Sequence, residues 1–216
     1  MEKFHHDLND LKNKILKMGD LALEMLTKSV SSLKDLDVEI ADRVYEQRKL
    51  LAQLDFETEE EAMRLIALYQ PMAVDLRTLG TVLKLNTYLT RIGRYGKDIA
   101  NVTRIDMKER AHVKKLVSIP QMTNIIQGMV SDALKAFKEN KIEYLTNMAE
   151  RDNEVDELRI SIYRECLTYM FEDPKNIPVC TAYIMVARYL ERCGDHACKM
   201  AEKIQYMVTG QHVEIK

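Results

Sequence analysis

The sequence has no tryptophan, only seven glycines and four prolines, and an aromatic share of 6%. Strands need β-branched and aromatic runs bounded by turn residues, and these are too sparse here to build a sheet. No uninterrupted apolar stretch is long enough for a signal peptide or a membrane span. The opening MEKFHHDLNDLKNKILKMGD mixes charges with apolar residues at helical spacing, so a cytoplasmic protein is expected. Neither charge sign is in excess: 32 Lys and Arg stand against 34 Asp and Glu, for a net charge of -2. With no basic block and no acidic tail, nucleic acid is not the expected partner. Cys166, Cys180, Cys193 and Cys198 form no CxxC pair, which leaves reduced, packing thiols as the expectation. No GxSxG elbow or Gly-rich phosphate loop is present, and His196 stands five residues from Glu191 and so forms no Glu-x-x-His motif with it, which argues against hydrolase and ferritin-like di-metal chemistry.

What is present favours helix throughout: Ala, Leu, Met, Glu, Lys and Arg dominate, and 46% of residues are hydrophobic. Breaks in helical periodicity coincide with Pro71, Pro120, Pro174 and Pro178, and predict helices near 3–34, 38–69, 72–106, 119–139, 141–171 and 177–208, the last closed by Thr209-Gly210. Steps of three and four through Leu85, Leu89, Ile92, Tyr95, Ile99 and Val102, and through Ala187, Leu190, Gly194, Ala197, Ala201 and Ile204, give one buried stripe per helix. Helices of about thirty residues are rods of roughly 45 Å, so an elongated bundle follows.

The chain also repeats itself. Tyr88-Leu89-Thr90-Arg91-Ile92-Gly93 returns as Tyr189-Leu190-Glu191-Arg192-Cys193-Gly194, and the same offset carries Leu54-Asp55 to Val155-Asp156 and Ala100 to Ala201. The simplest architecture is all-α: two tandem three-helix bundles, residues 1–110 and 111–216, divided near Arg110–Val117.

Two acid pairs at i, i+4 spacing stand out in the second half: Asp152 with Asp156, and Glu191 with Asp195. That spacing stacks both carboxylates of a pair on one helix face, where like charges repel. In an antiparallel hairpin turning at Asp173-Pro174, Asp152 is level with Asp195 and Asp156 with Glu191, so all four acids can meet. Carboxylates gathered in a partly dry groove ask for cations, and an oxygen-rich set suits Fe, Mn, Mg or Ca, or Zn if a histidine joins. The alternative is a solvated acidic seam paired with Arg188, Arg192 or Lys199. His196 points about 100° away from Asp195 around the helix, which makes it a flanking or outer group rather than a ligand. His5 and His6 read as surface residues. In the first half Leu51, Asp55, Thr90 and Arg94 occupy the equivalent positions, so three of the four acids are gone, and Arg94 could balance Asp55 as a cation would.

The segments Gln70-Pro71-Met72-Ala73-Val74-Asp75-Leu76-Arg77, Asn153-Glu154-Val155-Asp156 and Glu191-Arg192-Cys193-Gly194-Asp195-His196-Ala197 resemble the PhoU family over nearly the whole chain. The resemblance implies two PhoU bundles side by side and multinuclear clusters of Fe, Zn, Mg or Mn on the acid faces. Asp152, Asp156, Glu191 and Asp195 are the residues that match the family's acid motif. It further implies a non-enzymatic role restraining phosphate uptake and phosphate-responsive signalling, through contact with the phosphate ABC transporter and a sensor histidine kinase. Homodimer formation is left open. So are a metal-free helical adaptor for another transporter and, behind it, a di-metal carboxylate enzyme.

Overall fold

The computed structural model describes residues 2–215, and these build six α-helices with no strand among them. They are α1 (Glu2–Asp35), α2 (Val38–Tyr69), α3 (Ala73–Asn101), α4 (Ser118–Glu139), α5 (Met148–Glu172) and α6 (Ile177–Thr209). The turns follow from local chemistry. Leu36 adopts φ 54 to reverse the chain, and Asp37 then caps α2, its carboxylate accepting the Ile40 N–H at 2.9 Å. Gln70 ends α2 in the left-handed region, Pro71 follows, and Gly210 ends α6 with φ 75.

Two expected spans need correction. Residues 141–171 are not one helix: Asn140 and Asn147 both take left-handed backbone, at φ 55 and φ 59. Between them lies a short 3₁₀ turn, Ile142–Leu145, so α5 begins only at Met148. Asparagine tolerates that conformation better than other non-glycine residues, and this is the physical source of the break. The span expected at 72–106 is α-helical only to Asn101. Val102–Asp106 then widen into a π-helical turn, closed by the Met107 N–H on the Val102 carbonyl at 2.9 Å.

Helices α1–α3 pack as one three-helix bundle and α4–α6 as another. The apolar stripes are the cores: Leu85, Leu89, Ile92 and Ile99 are fully buried, as are Leu190, Ala197, Ala201 and Ile204. All four cysteines are buried and unbridged, and burial pushes the Cys166 thiol up to about 12, so these are packing groups rather than reactive ones.

The duplication is visible in how each hairpin closes. A Cβ placed on Gly93 would lie 2.6 Å from Leu51, and one on Gly194 would lie 2.6 Å from Asp152 Oδ1. Both pairs sit at the same repeat positions, so each hairpin presses one side chain of its first helix onto a bare stretch of its second. The halves meet mainly along α3 and α6, which run antiparallel: Arg77 Nε reaches the Met207 carbonyl, Thr81 donates to the Lys203 carbonyl, Tyr88 stacks on His196, and Tyr95 stacks on Tyr189. Each step along α3 is matched by an equal step back along α6. The Tyr88–His196 and Tyr189–Tyr95 contacts are therefore images of each other under the repeat, and the bundles are related by an approximate twofold. A second contact joins α1 to α4.

The glycines give a test of this packing. A Cβ at Gly96 would stand 2.8 Å from the Met25 carbonyl carbon and 2.9 Å from the Leu26 nitrogen, backbone atoms that cannot yield. A Cβ at Gly80 meets nothing within 4 Å. Gly96→Ala is expected to lose about 1–3 kcal/mol of stability through overpacking, and Gly80→Ala to gain up to about 1 kcal/mol by helix propensity. Urea denaturation of the two variants beside the parent checks the contrast.

Candidate metal centre

Helices α5 and α6 position the four acids of the second half. Asp152 is 1% exposed, lying under α6 against Gly194, in agreement with the hairpin register that sets it level with Asp195. Val155 packs beside it, and Asp156 follows one turn on, half-buried. On α6 the Glu191 side chain is 12% exposed, and burial raises its pKa despite the neighbouring Arg188. Arg188 Nη1 donates to Glu191 Oε1 at 2.6 Å, and Arg192 Nη1 donates to Asp195 Oδ2 at 3.2 Å. Arg192 Nε also lies 3.7 Å from Glu191 Oε2, yet that oxygen is buried and accepts no hydrogen bond.

The hairpin thus seats Asp152 against Gly194, next to Asp195 in the chain, with Asp156 and Glu191 on the same two helices. It does not draw them into a ligand sphere: among the described residues no three His, Cys, Asp or Glu side chains converge as a metal ion would require. The donor chemistry fits a hard cation, with four carboxylates and one buried acceptor left over at Glu191 Oε2. In this structure arginines hold the counter-charge position. Their side chains are 44% and 45% exposed, so releasing them costs little.

His196 is placed differently from a group supporting a metal. Its ring stacks on Tyr88 at 5.7 Å and on Tyr95 at 6.0 Å, inside the seam between the bundles, and its Nε2 has no hydrogen-bond partner. The repeat explains this, since His196 stands where the first half has Tyr95. Burial, helped by Arg91, pushes the imidazole down to about 4. The seam went unread as a unit in the sequence, although Tyr88 and Tyr189 were already visible as repeat partners. The linker adds a second anchor that sequence reasoning missed: His112 reaches the Tyr183 hydroxyl at 2.7 Å and the Lys34 carbonyl at 3.1 Å, tying the end of α1 to α6.

The first half corrects one expectation. Asp55 is not balanced by Arg94. Its carboxylate accepts from Asn86 Nδ2 at 2.7 Å, and Asp98 pairs with Lys97 at 2.6 Å. Asn86 sits two turns before Arg94 on α3 and needs no reach, so the amide takes the hydrogen bond and the guanidinium stays in the solvent-facing groove.

Comparison with known proteins matches the PhoU domain model twice, at residues 15–103 and 119–204. A phosphate-specific transport system accessory protein PhoU homolog of Caulobacter vibrioides is 36% identical over 214 residues, spanning 99% of this chain and 93% of its own length. The homolog of Clostridium acetobutylicum is 31% identical, spanning 98% and 97%. The crystal structure of PhoU from Pseudomonas aeruginosa superposes with a TM-score of 0.91 at 32% identity, over 96% of this chain and 100% of that one. The phosphate transport system regulatory protein PhoU from Streptococcus pneumoniae gives 0.88 at 26% identity, over 97% and 99%.

Two outcomes follow from the geometry. Because Leu51 fills the place of Asp152 in the other hairpin, Asp152→Leu in chelator-treated protein is expected to keep the fold and helical content, since the same closure against glycine accepts a leucine. Loss of helical content by circular dichroism contradicts the equivalence. His196 binds its proton only near pH 4 when folded but near 6.5 when unfolded, so its contribution is complete above about pH 6.5 and is lost as pH falls towards 4. Asp195, Arg91, Arg192, Tyr88 and Tyr95 are the groups that face it or act on it. His196→Tyr, which copies Tyr95, is expected to flatten that acid-side decline when denaturation is followed from pH 7 to pH 4 with metal chelated.

Proposed function

The chain belongs to the PhoU family, and from that premise we propose that it regulates phosphate uptake and phosphate-responsive signalling in the cytoplasm, docking on components of a phosphate ABC transporter and on a sensor histidine kinase. The observation that carries this reading is the match in sequence and architecture along almost the full length of relatives named as accessory proteins of a phosphate-specific transport system. Those names describe accessory roles and not enzymatic ones, and the reading here is non-enzymatic. No helix among the described residues is long and apolar enough to cross a membrane, so contact with a transporter would run through protein surfaces.

The hairpin tips offer such surfaces. Leu68, Met72, Val74 and Leu76 are exposed around the α2–α3 turn, Met72 at 80%, and Phe171 is 86% exposed at the α5–α6 turn. Side chains of this kind at a tip cost solvation energy unless they serve an interaction. Asp152, Asp156, Glu191 and Asp195 would hold the metal ions, Fe, Zn, Mg or Mn, with Arg188 and Arg192 turned outwards. The bound charge would relieve the repulsion between Glu191 and Asp195 and stiffen the α5–α6 hairpin.

The arginine pairs favour one second reading, in which the chain is an adaptor that works without metal. Metal content separates the two. Protein purified without chelators is expected to carry metal, and Asp156→Ala with Asp195→Ala to lose most of it while keeping helical content by circular dichroism. Equal metal content in parent and double variant rejects the proposed ligands. Affinity capture from cells grown in high and low phosphate is expected to recover transporter components, and Met72→Asp with Leu76→Asp to reduce that recovery severalfold. Recovery of none in either condition contradicts the regulatory role.

A further inference from the structure

The face of the α2–α3 hairpin that corresponds to the acid cluster carries a groove of about 520 Å³, lined by Asp55, Lys84, Asn86, Thr90, Arg91 and Arg94 among others. Its charge is the opposite of its counterpart's. The four equivalent positions of the second half are all acids; here they are Leu51, Asp55, Thr90 and Arg94, which sum to zero, and Lys84 and Arg91 add two cations against Glu59.

Two observations fix the chemistry that would fill it. Lys84, Arg91 and Arg94 form no ion pair or hydrogen bond among the described residues, so three cations line the groove against two acids, Asp55 and Glu59. On the opposite side Asn86, only 3% exposed, donates from Nδ2 to Asp55 Oδ1 at 2.7 Å and to the Asp55 carbonyl at 3.0 Å. Those bonds orient the amide and leave Asn86 Oδ1 a buried acceptor with no hydrogen-bond partner, on a residue that lines the groove. The Asp55 carboxylate beside it is acceptor-only as well when ionised.

A ligand that answers both walls needs negative charge and a proton to donate, on one small group. Sulfate is a bare dianion at neutral pH and would set an oxygen against the Asp55 carboxylate. A phosphate monoester, with its second pKa near 6, is mostly the bare dianion too. Hydrogen phosphate keeps a P–OH. We propose that this groove is a site for inorganic phosphate, whose P–OH donates to the Asp55 carboxylate while its other oxygens accept from Lys84, Arg91 and Arg94. Sites built to accept a ligand's proton reject analogues that lack it by large factors, because their acceptors are then left unpaired. The inference does not rest on the transporter role or on the metal, and its test requires neither.

The test is isothermal titration of the full chain, chelator-treated and at matched ionic strength, with inorganic phosphate, sulfate and AMP. Phosphate is expected to bind one per chain, with sulfate and AMP at least tenfold weaker. Arg94→Ala should weaken phosphate at least tenfold, with circular dichroism confirming the fold. Asp55→Asn, which can still accept from Asn86, should lower the preference for phosphate over sulfate at least tenfold. Titration of the Asp156→Ala, Asp195→Ala variant should give phosphate binding equal to the parent's. Equal binding of sulfate or AMP by the parent, no effect of Arg94→Ala, or loss of phosphate in the acid-pair variant would each overturn the assignment.

Discussion

Everything distinctive in this molecule depends on one steric constraint, repeated once: a helix crossing a glycine too closely for any side chain to stand there. At Gly93 the facing group is Leu51 and at Gly194 it is Asp152. The approach fixes the register of each hairpin, and the register in turn sets which residues share a level. A buried leucine needs nothing further. A buried carboxylate, 1% exposed, must be held by its neighbours, and three more acids, Asp156, Glu191 and Asp195, share its hairpin. Together with the changes at Thr90 and Arg94, the exchange of Leu51 for Asp152 divides the halves into an apolar closure and an acidic one.

The same constraint orders the interface between the halves. With both hairpins in equivalent register, α3 and α6 meet antiparallel across an approximate twofold, and the Tyr88–His196 stack is the image of Tyr189 on Tyr95. His196 lies next to Asp195 in sequence yet on the other side of the helix. It ties the acid groove to the bundle seam through the body of α6. A cation that drew Asp195 and Glu191 together would act on the same turns of helix that stack against α3, a short mechanical route from the groove to the arrangement of the bundles.

Much of this was legible in the sequence. Proline punctuation and apolar periodicity placed helices α1, α2, α4 and α6 to within a residue or two, and the Gly93/Gly194 repeat set the hairpin register that seats Asp152 against Gly194. What was not legible depended on backbone or on long-range competition. Asn140 and Asn147 are weak helix formers, but a single weak former is tolerated inside a helix, and only their left-handed φ values reveal that α5 starts late. The placement of Arg94 beside Asp55 assumed that the charged neighbour wins. Asn86, nearer and more buried, takes the carboxylate instead. The arginine pairs at Glu191 and Asp195 were foreseeable as an alternative to metal, because three-residue spacing on a helix always offers them.

The central claim is the proposal that duplication has produced two chemically opposed hairpins, of which only the acidic one would gather cations. Anomalous diffraction from crystals of the protein equilibrated with Mn²⁺ tests it most directly. The account requires anomalous peaks between α5 and α6, within bonding distance of Asp152, Asp156, Glu191 or Asp195, and none between α2 and α3 beside Asp55. Peaks of equal height in both hairpins, or in the α2–α3 hairpin alone, would contradict it.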